Sequence, residues 1–176
     1  TYYKKTLDIN EQYYDAYKGI GNVFYRKKDY EEAAENYTKY LEDEDADNYY
    51  YYRLGRCFEE TEEYDDALGY FEKYDPEDPA DIAMKYTEIG FTNYKLENND
   101  EAIDAYKNAL ENKPEYGEAL RGLGDVYYYS EEDYENAIEN FEMALRYDEE
   151  NSKDCYAKLG WLYNDQEEYD KAIAIL

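Results

Sequence analysis

A glycine preceded by Ile or Leu recurs at Gly21, Gly55, Gly90, Gly124 and Gly160, at spacings of 34, 35, 34 and 36 residues. A second ladder, Ala33, Ala67, Ala102, Ala137 and Ala172, runs beside it at 34, 35, 35 and 35. Two residue types in step identify a tandem array before any other reading of the chain. Within one period, Tyr17, Ile20, Gly21 and Phe24 fall at three- and four-residue steps, the mark of one helix face. Lys28-Asp29 supplies a turn, and Tyr30, Ala33, Ala34, Tyr37 and Leu41 form a second apolar stripe. A polar stretch from Asp43 to Asp47 closes the period. Gly21 and Ala33 lack bulk where two paired helices approach. A hairpin of this size cannot bury both its faces alone and stacks on its neighbours. The period therefore predicts an all-α chain of five antiparallel helix pairs and no strand.

These residues resemble the tetratricopeptide repeat, an aromatic-x₂-Leu-Gly-x₂-Tyr run followed by Ala-x₃-Phe and then Pro. The pattern reads Tyr17/Ile20/Gly21/Phe24 with Ala33/Tyr37, then Tyr51/Leu54/Gly55/Phe58 with Ala67/Phe71/Pro79. It continues as Tyr86/Ile89/Gly90 with Ala102/Tyr106/Ala109/Pro114, and as Leu120/Leu123/Gly124/Tyr127 with Ala137/Phe141/Ala144. The fifth copy is Tyr156/Leu159/Gly160/Tyr163 with Ala172, and residues 1–8 read as the end of an earlier one. The resemblance covers the whole chain and implies one right-handed superhelical solenoid over residues 1–176. Its repeats would be 1–13 (partial), 14–47, 48–82, 83–116, 117–152 and 153–176 (truncated). Some positions depart from the pattern. Asn93 stands where the third first helix should carry an aromatic, Tyr40 and Tyr74 stand where the family prefers Ala, and Pro76 should end its helix early.

Composition narrows the function. With 46 acidic against 19 basic residues the formal charge is −27, which argues against nucleic acid, since phosphate is held by Lys and Arg. It also argues against anionic membranes, and no apolar run reaches the length of a membrane span. With 28 Tyr there is ample aromatic material for a core. Cys57 and Cys155 lie far apart and read as small core residues of a reducing, cytoplasmic setting. The chain has no His, so neither a Ser-His-Asp nor a Cys-His arrangement can form. The acidic turns at 43–47 and 75–78 lack the Gly and terminal Glu of an EF-hand loop. No enzymatic activity, cofactor or metal is expected.

The acidity is unevenly placed. Taking first helices as 14–28, 48–60, 81–96, 115–129 and 153–165 gives eleven basic and ten acidic residues there, against eight and thirty-six elsewhere. The resemblance implies that first helices line a concave groove. Its groove positions supply Lys18, Asn22, Tyr25, Arg26, Tyr49, Tyr52, Arg56, Phe91, Tyr94, Lys95, Arg121, Tyr128, Tyr129 and Trp161 as candidate binding residues. Tyr, Trp and Arg are the side chains enriched in binding hot spots. A two-lysine clamp for a C-terminal carboxylate, known in the family, is incomplete here. Lys18 and Asn22 match its first helix, but Arg53, Met84 and Glu88 follow.

The leading expectation is a protein-interaction scaffold that holds a peptide or protein segment in its groove. A peptide-sensing regulatory receptor, or the interaction arm of a larger enzyme, are the alternatives. End-to-end self-association is expected through Tyr2, Tyr3 and Leu7 at one end and Ala172, Ile173 and Leu176 at the other. Charge repulsion opposes it at low salt.

Overall fold

The computed structural model describes residues 13–130 and 132–175. The reading of residues 1–8 as an earlier repeat, and the expectations placed on Tyr2, Tyr3, Leu7 and Leu176, lie outside the described residues. The chain divides into two compact units, Thr1–Pro76 and Glu77–Leu176. Among the described residues there are ten helices and no strand. In the first unit these are α1 (Tyr14–Arg26), α2 (Tyr30–Tyr40), α3 (Tyr49–Glu60) and α4 (Tyr64–Lys73). In the second they are α5 (Pro79–Lys95), α6 (Asn99–Asn112), α7 (Gly117–Tyr129), α8 (Tyr134–Tyr147), α9 (Asp154–Asp165) and α10 (Tyr169–Ile175).

Consecutive helices pack as antiparallel pairs, and the reason lies in the turn between them. The penultimate turn residues Lys28, Glu62, Glu97, Glu132 and Glu167 all adopt positive φ, between 50° and 63°. None of them is glycine. The residue that follows sends its N–H back to the first helix: Asp29 to Phe24 O at 3.0 Å, Glu63 to Phe58 O at 2.8 Å, Glu168 to Tyr163 O at 2.8 Å. Lys28, Glu62, Glu97 and Glu167 also donate to the carbonyl three before them, as Lys28 does to Tyr25 at 2.9 Å. This is the Schellman closure, which satisfies the last carbonyls of one helix and reverses the chain into the next.

The two ladders meet inside each pair. Gly21 faces Tyr37, Gly90 faces Tyr106 and Gly124 faces Phe141, each so closely that a Cβ would sit 2.6–2.9 Å from the ring. Ala33, Ala67, Ala102 and Ala137 are fully buried. Within each unit, the second helix of one pair packs on the first helix of the next. In the first unit Ala33, Ala34 and Tyr37 of α2 share a core with Leu54 and Cys57 of α3. In the second unit Ala137, Phe141 and Ala144 of α8 share one with Cys155, Leu159 and Leu162 of α9.

The departures from the repeat pattern are absorbed locally. Tyr40 and Tyr74 are both 4% exposed; the Tyr40 hydroxyl accepts the Asp47 N–H at 2.9 Å, and its ring lies 4.8 Å from Tyr50. Asn93 is buried, its amide donating to Ile89 O at 3.0 Å and its oxygen accepting from Asn98 at 3.3 Å. α4 stops at Lys73 and Tyr74 is extended, just before Asp75, which Pro76 keeps out of the helical region. Asp78 then caps α5, accepting the Ala80 N–H at 2.8 Å, with Pro79 at the first helical position.

Candidate functional site

The first helices of the first unit present a set of polar and aromatic side chains that mostly bond to one another. The Arg53 guanidinium carbon lies 3.9 Å from the centre of the Tyr25 ring, and the same group donates to the Tyr37 hydroxyl at 2.9 Å. That hydroxyl donates to Asn22 Oδ1 at 2.9 Å, and the Asn22 amide donates to the Tyr50 hydroxyl at 3.0 Å. Burial raises the Tyr37 and Tyr25 phenols above the ordinary tyrosine value, with nearby arginine pulling the other way. Lys18 pairs with Asp15 at 2.5 Å and lies 5.0 Å over the Tyr40 ring. Arg56 meets Glu59 at 3.0 Å and Glu60 at 3.5 Å. Tyr52 packs on Phe71 and Tyr74 and stacks with Tyr49. Only Arg26 and Tyr49 of the expected residues in this unit are exposed.

The second unit is arranged differently. α7 and α9 are joined by a cluster of four charges. Lys158 Nζ lies 2.5 Å from Asp125 and 2.8 Å from Asp154; Arg121 lies 3.8 Å from Asp125 and 4.0 Å from Asp154. Burial pushes the Asp125 carboxyl up against the pull of Lys158. At the more exposed Asp154 burial also pushes up, but the Lys158 bond outweighs it and the carboxyl is lowered. Lys158 is raised, because its two carboxylate bonds outweigh the cost of burial. The two cations and two anions leave this surface locally neutral.

Aromatic groups flank that cluster. Trp161 on α9 is 47% exposed and Tyr129 on α7 is 58% exposed. Trp161 meets Tyr128 edge-on at 5.8 Å and Tyr134 at 5.9 Å, so its ring is braced on one side and open on the other. Tyr129 lies 4.6 Å from Tyr128 and borders a cavity of about 460 Å³ that Tyr94 and Lys95 also line. Lys95 lies 5.2 Å over the ring of Phe91, which is half-buried against the core of α5, α6 and α7.

The structure thus gathers Tyr94, Lys95, Tyr128, Tyr129 and Trp161 on the first helices of one unit. Phe91, expected from the sequence as a free groove side chain, packs partly on the core. Sequence reasoning did not single out Lys158, although Asp154 four residues before it was a visible helical partner. Arg53 was weighed only as a clamp position. Its role under Tyr25 and Tyr37 could not be read from one helix, because it joins two. Lys18 and Asn22, the matched half of the carboxylate clamp, are both occupied by neighbours, and Glu88 is buried.

The comparisons agree with this architecture. Models described as tetratricopeptide repeat match residues 2–49 and 18–82, residues 81–150 and residues 154–176. The chain belongs to the tetratricopeptide-repeat family, whose helical arrays act generally as non-catalytic protein-interaction scaffolds. Among solved structures it is similar to the crystal structure of MamA, at 25% identity and TM-score 0.77, over 92% of this chain and 87% of that one. YrrB, described as a TPR protein with an unusual peptide-binding site, is 23% identical with TM-score 0.71 over 98% and 88%. PilF of Pseudomonas aeruginosa is 17% identical with TM-score 0.80 over 98% and 78%. The latter two show the fold. No curated protein matches the chain. Among the described residues no helix is long and apolar enough to cross a membrane.

Proposed function

We propose that this protein is an interaction scaffold that binds an extended peptide or protein segment along the first helices of its second compact unit, the side the repeat family makes concave. One observation carries the reading: Tyr129 and Trp161, large and exposed, both meet Tyr128, and Tyr129 borders the cavity that Tyr94 and Lys95 line. Exposed aromatic rings held rigid by neighbours lose little entropy on contact and supply anchor area. Because Arg121 and Lys158 already face Asp125 and Asp154, the surface favours a segment recognised by apolar and polar groups rather than by charge. Substituting Tyr129 and Trp161 by Ala should weaken capture of the partner at least about tenfold. Changing Glu139 to Lys on α8 should leave it unaltered. Cross-linking of a captured segment followed by peptide mapping reads the result. Loss of binding on the α8 change with none on the aromatic changes would reject the proposal.

A second reading concerns copies of the chain. Ile173 on α10 is 76% exposed and Tyr169 is 56% exposed, which favours association through this helix when salt screens the net charge. Sedimentation at rising salt and concentration, with and without Ile173→Glu, tests it.

A further inference from the structure

A groove of about 620 Å³ opens in the first unit, lined by none of the aromatic residues of the surface described above. It runs between α2 and the turn joining α3 to α4. Its floor is apolar: Ala34, the half-buried ring of Tyr30, and Phe58, whose other face stacks on Tyr70 at 5.3 Å with the rings 3° from parallel. Its rim is acidic. Glu31 and Glu35 stand on α2 one turn apart, Glu42 follows that helix, and Glu63 lies across the groove on the turn. Of the described residues that line the groove one is cationic, Lys39, which lies 5.4 Å from the ring of Tyr17 on α1.

We infer that this groove is a second binding site, and that its occupant is a cationic segment of another protein carrying one aromatic or aliphatic side chain between Lys or Arg residues. The apolar floor is the size of a small-molecule pocket and takes the anchor. Four carboxylates against one lysine leave net negative charge around that anchor, and complementary charge sets register and speeds encounter. An acidic rim over an apolar floor disfavours a second copy of this chain, which carries −27 overall, and gives a cationic segment the advantage over a neutral one.

Three amidated, acetylated peptides test the assignment on the whole chain at physiological salt: Lys-Lys-Phe-Lys-Lys, its Ser-centred analogue and Glu-Glu-Phe-Glu-Glu. Burying the Phe anchor should make the first bind at least about tenfold tighter than the second, and the third should not bind. Amide shifts on titration should centre on Thr38 and Thr61, both of which line the groove. The double change Glu31→Lys with Glu35→Lys should weaken the Phe peptide about tenfold or more. Glu135→Lys with Glu139→Lys on α8 applies the same change of net charge elsewhere and should alter affinity less than about twofold if only screened long-range fields act. Equal weakening by both pairs, or equal affinity for the Phe and Ser peptides, would mean general attraction to an acidic surface and would overturn the site. Tyr129→Ala with Trp161→Ala must leave this binding intact; its loss there, with shifts centred at Tyr129, would place the peptide on the aromatic surface instead.

Discussion

Gly55 lies so close under the ring of Phe71 that a methyl group in place of its hydrogen would sit 2.7 Å from Cε1 and 3.2 Å from the Ala67 carbonyl oxygen. The ring is fully buried and the carbonyl belongs to a helix, so neither can yield cheaply. Gly55→Ala gains about 1 kcal/mol of helix propensity but overpacks a core at a cost of about 1–3 kcal/mol. A net loss of stability is expected from urea unfolding, with partial recovery in Gly55→Ala/Phe71→Leu. Gly69 on α4 is the contrast, because nothing lies within 4 Å of its missing Cβ. Gly69→Ala should raise stability by about 0.5–1 kcal/mol.

The five turn residues at positive φ are Lys or Glu rather than Gly. An L side chain in that conformation costs about 1–2 kcal/mol, while glycine adds unfolded-state entropy worth less than this. Glu62→Gly and Glu97→Gly should each raise stability, read from urea unfolding, by about 0.5–1 kcal/mol, and the two should add because the turns share no partner. A fall in midpoint for both would show that these carboxylates hold the turns by some other contact.

Lys158 is the test of the charge cluster. Lys158→Met leaves Asp125, whose side chain is 17% exposed, facing only the more distant Arg121. Loss of one partner from a largely buried pair should cost about 2–3 kcal/mol after allowance for its residual exposure. Adding Asp125→Asn should return most of that loss. The double-mutant cycle should show coupling well beyond that of the exposed Lys171–Glu168 pair.

Alkaline pH should loosen the fold before bulk tyrosine ionisation. Burial holds the thiols of Cys57 and Cys155 up to about 12, against about 8.5–9 in an unfolded chain. The folded state then keeps protons that the unfolded state has lost, so stability falls as pH rises from about 9. The drop should reach about 1 kcal/mol per cysteine by pH 10. Buried phenols at Tyr37 and Tyr106, raised mainly by desolvation, steepen it further. Urea midpoints between pH 8 and 10 should decline less in Cys57→Ala/Cys155→Ala, whatever its absolute stability.

The helix pairs were legible because glycine and alanine recur for a reason that acts within one hairpin: Gly21 under Tyr37, Gly124 under Phe141. The groove positions came from the family resemblance rather than from periodicity, and among them Tyr129 and Trp161 are exposed. The pattern did not separate exposed tyrosines from packed ones. Tyr52 occupies a groove position in the repeat and yet packs on Phe71 and Tyr74, because Tyr74 brings a large ring where a small side chain usually stands. The groove at Ala34 and Phe58 escaped notice for a related reason. Its lining draws on two repeats, Tyr30 and Ala34 on α2 and Phe58 on α3, and no single helix carries both walls.

Within each compact unit helices pack mainly on their neighbours in the chain, and even the Asp125–Lys158 bond spans only 33 residues. Such wiring lets order spread from one hairpin to the next as in a row of coupled switches, without long loops to close. Each pair can melt and reform while its neighbours hold, so the same array that presents a rigid surface at α7 and α9 can also open one link at a time.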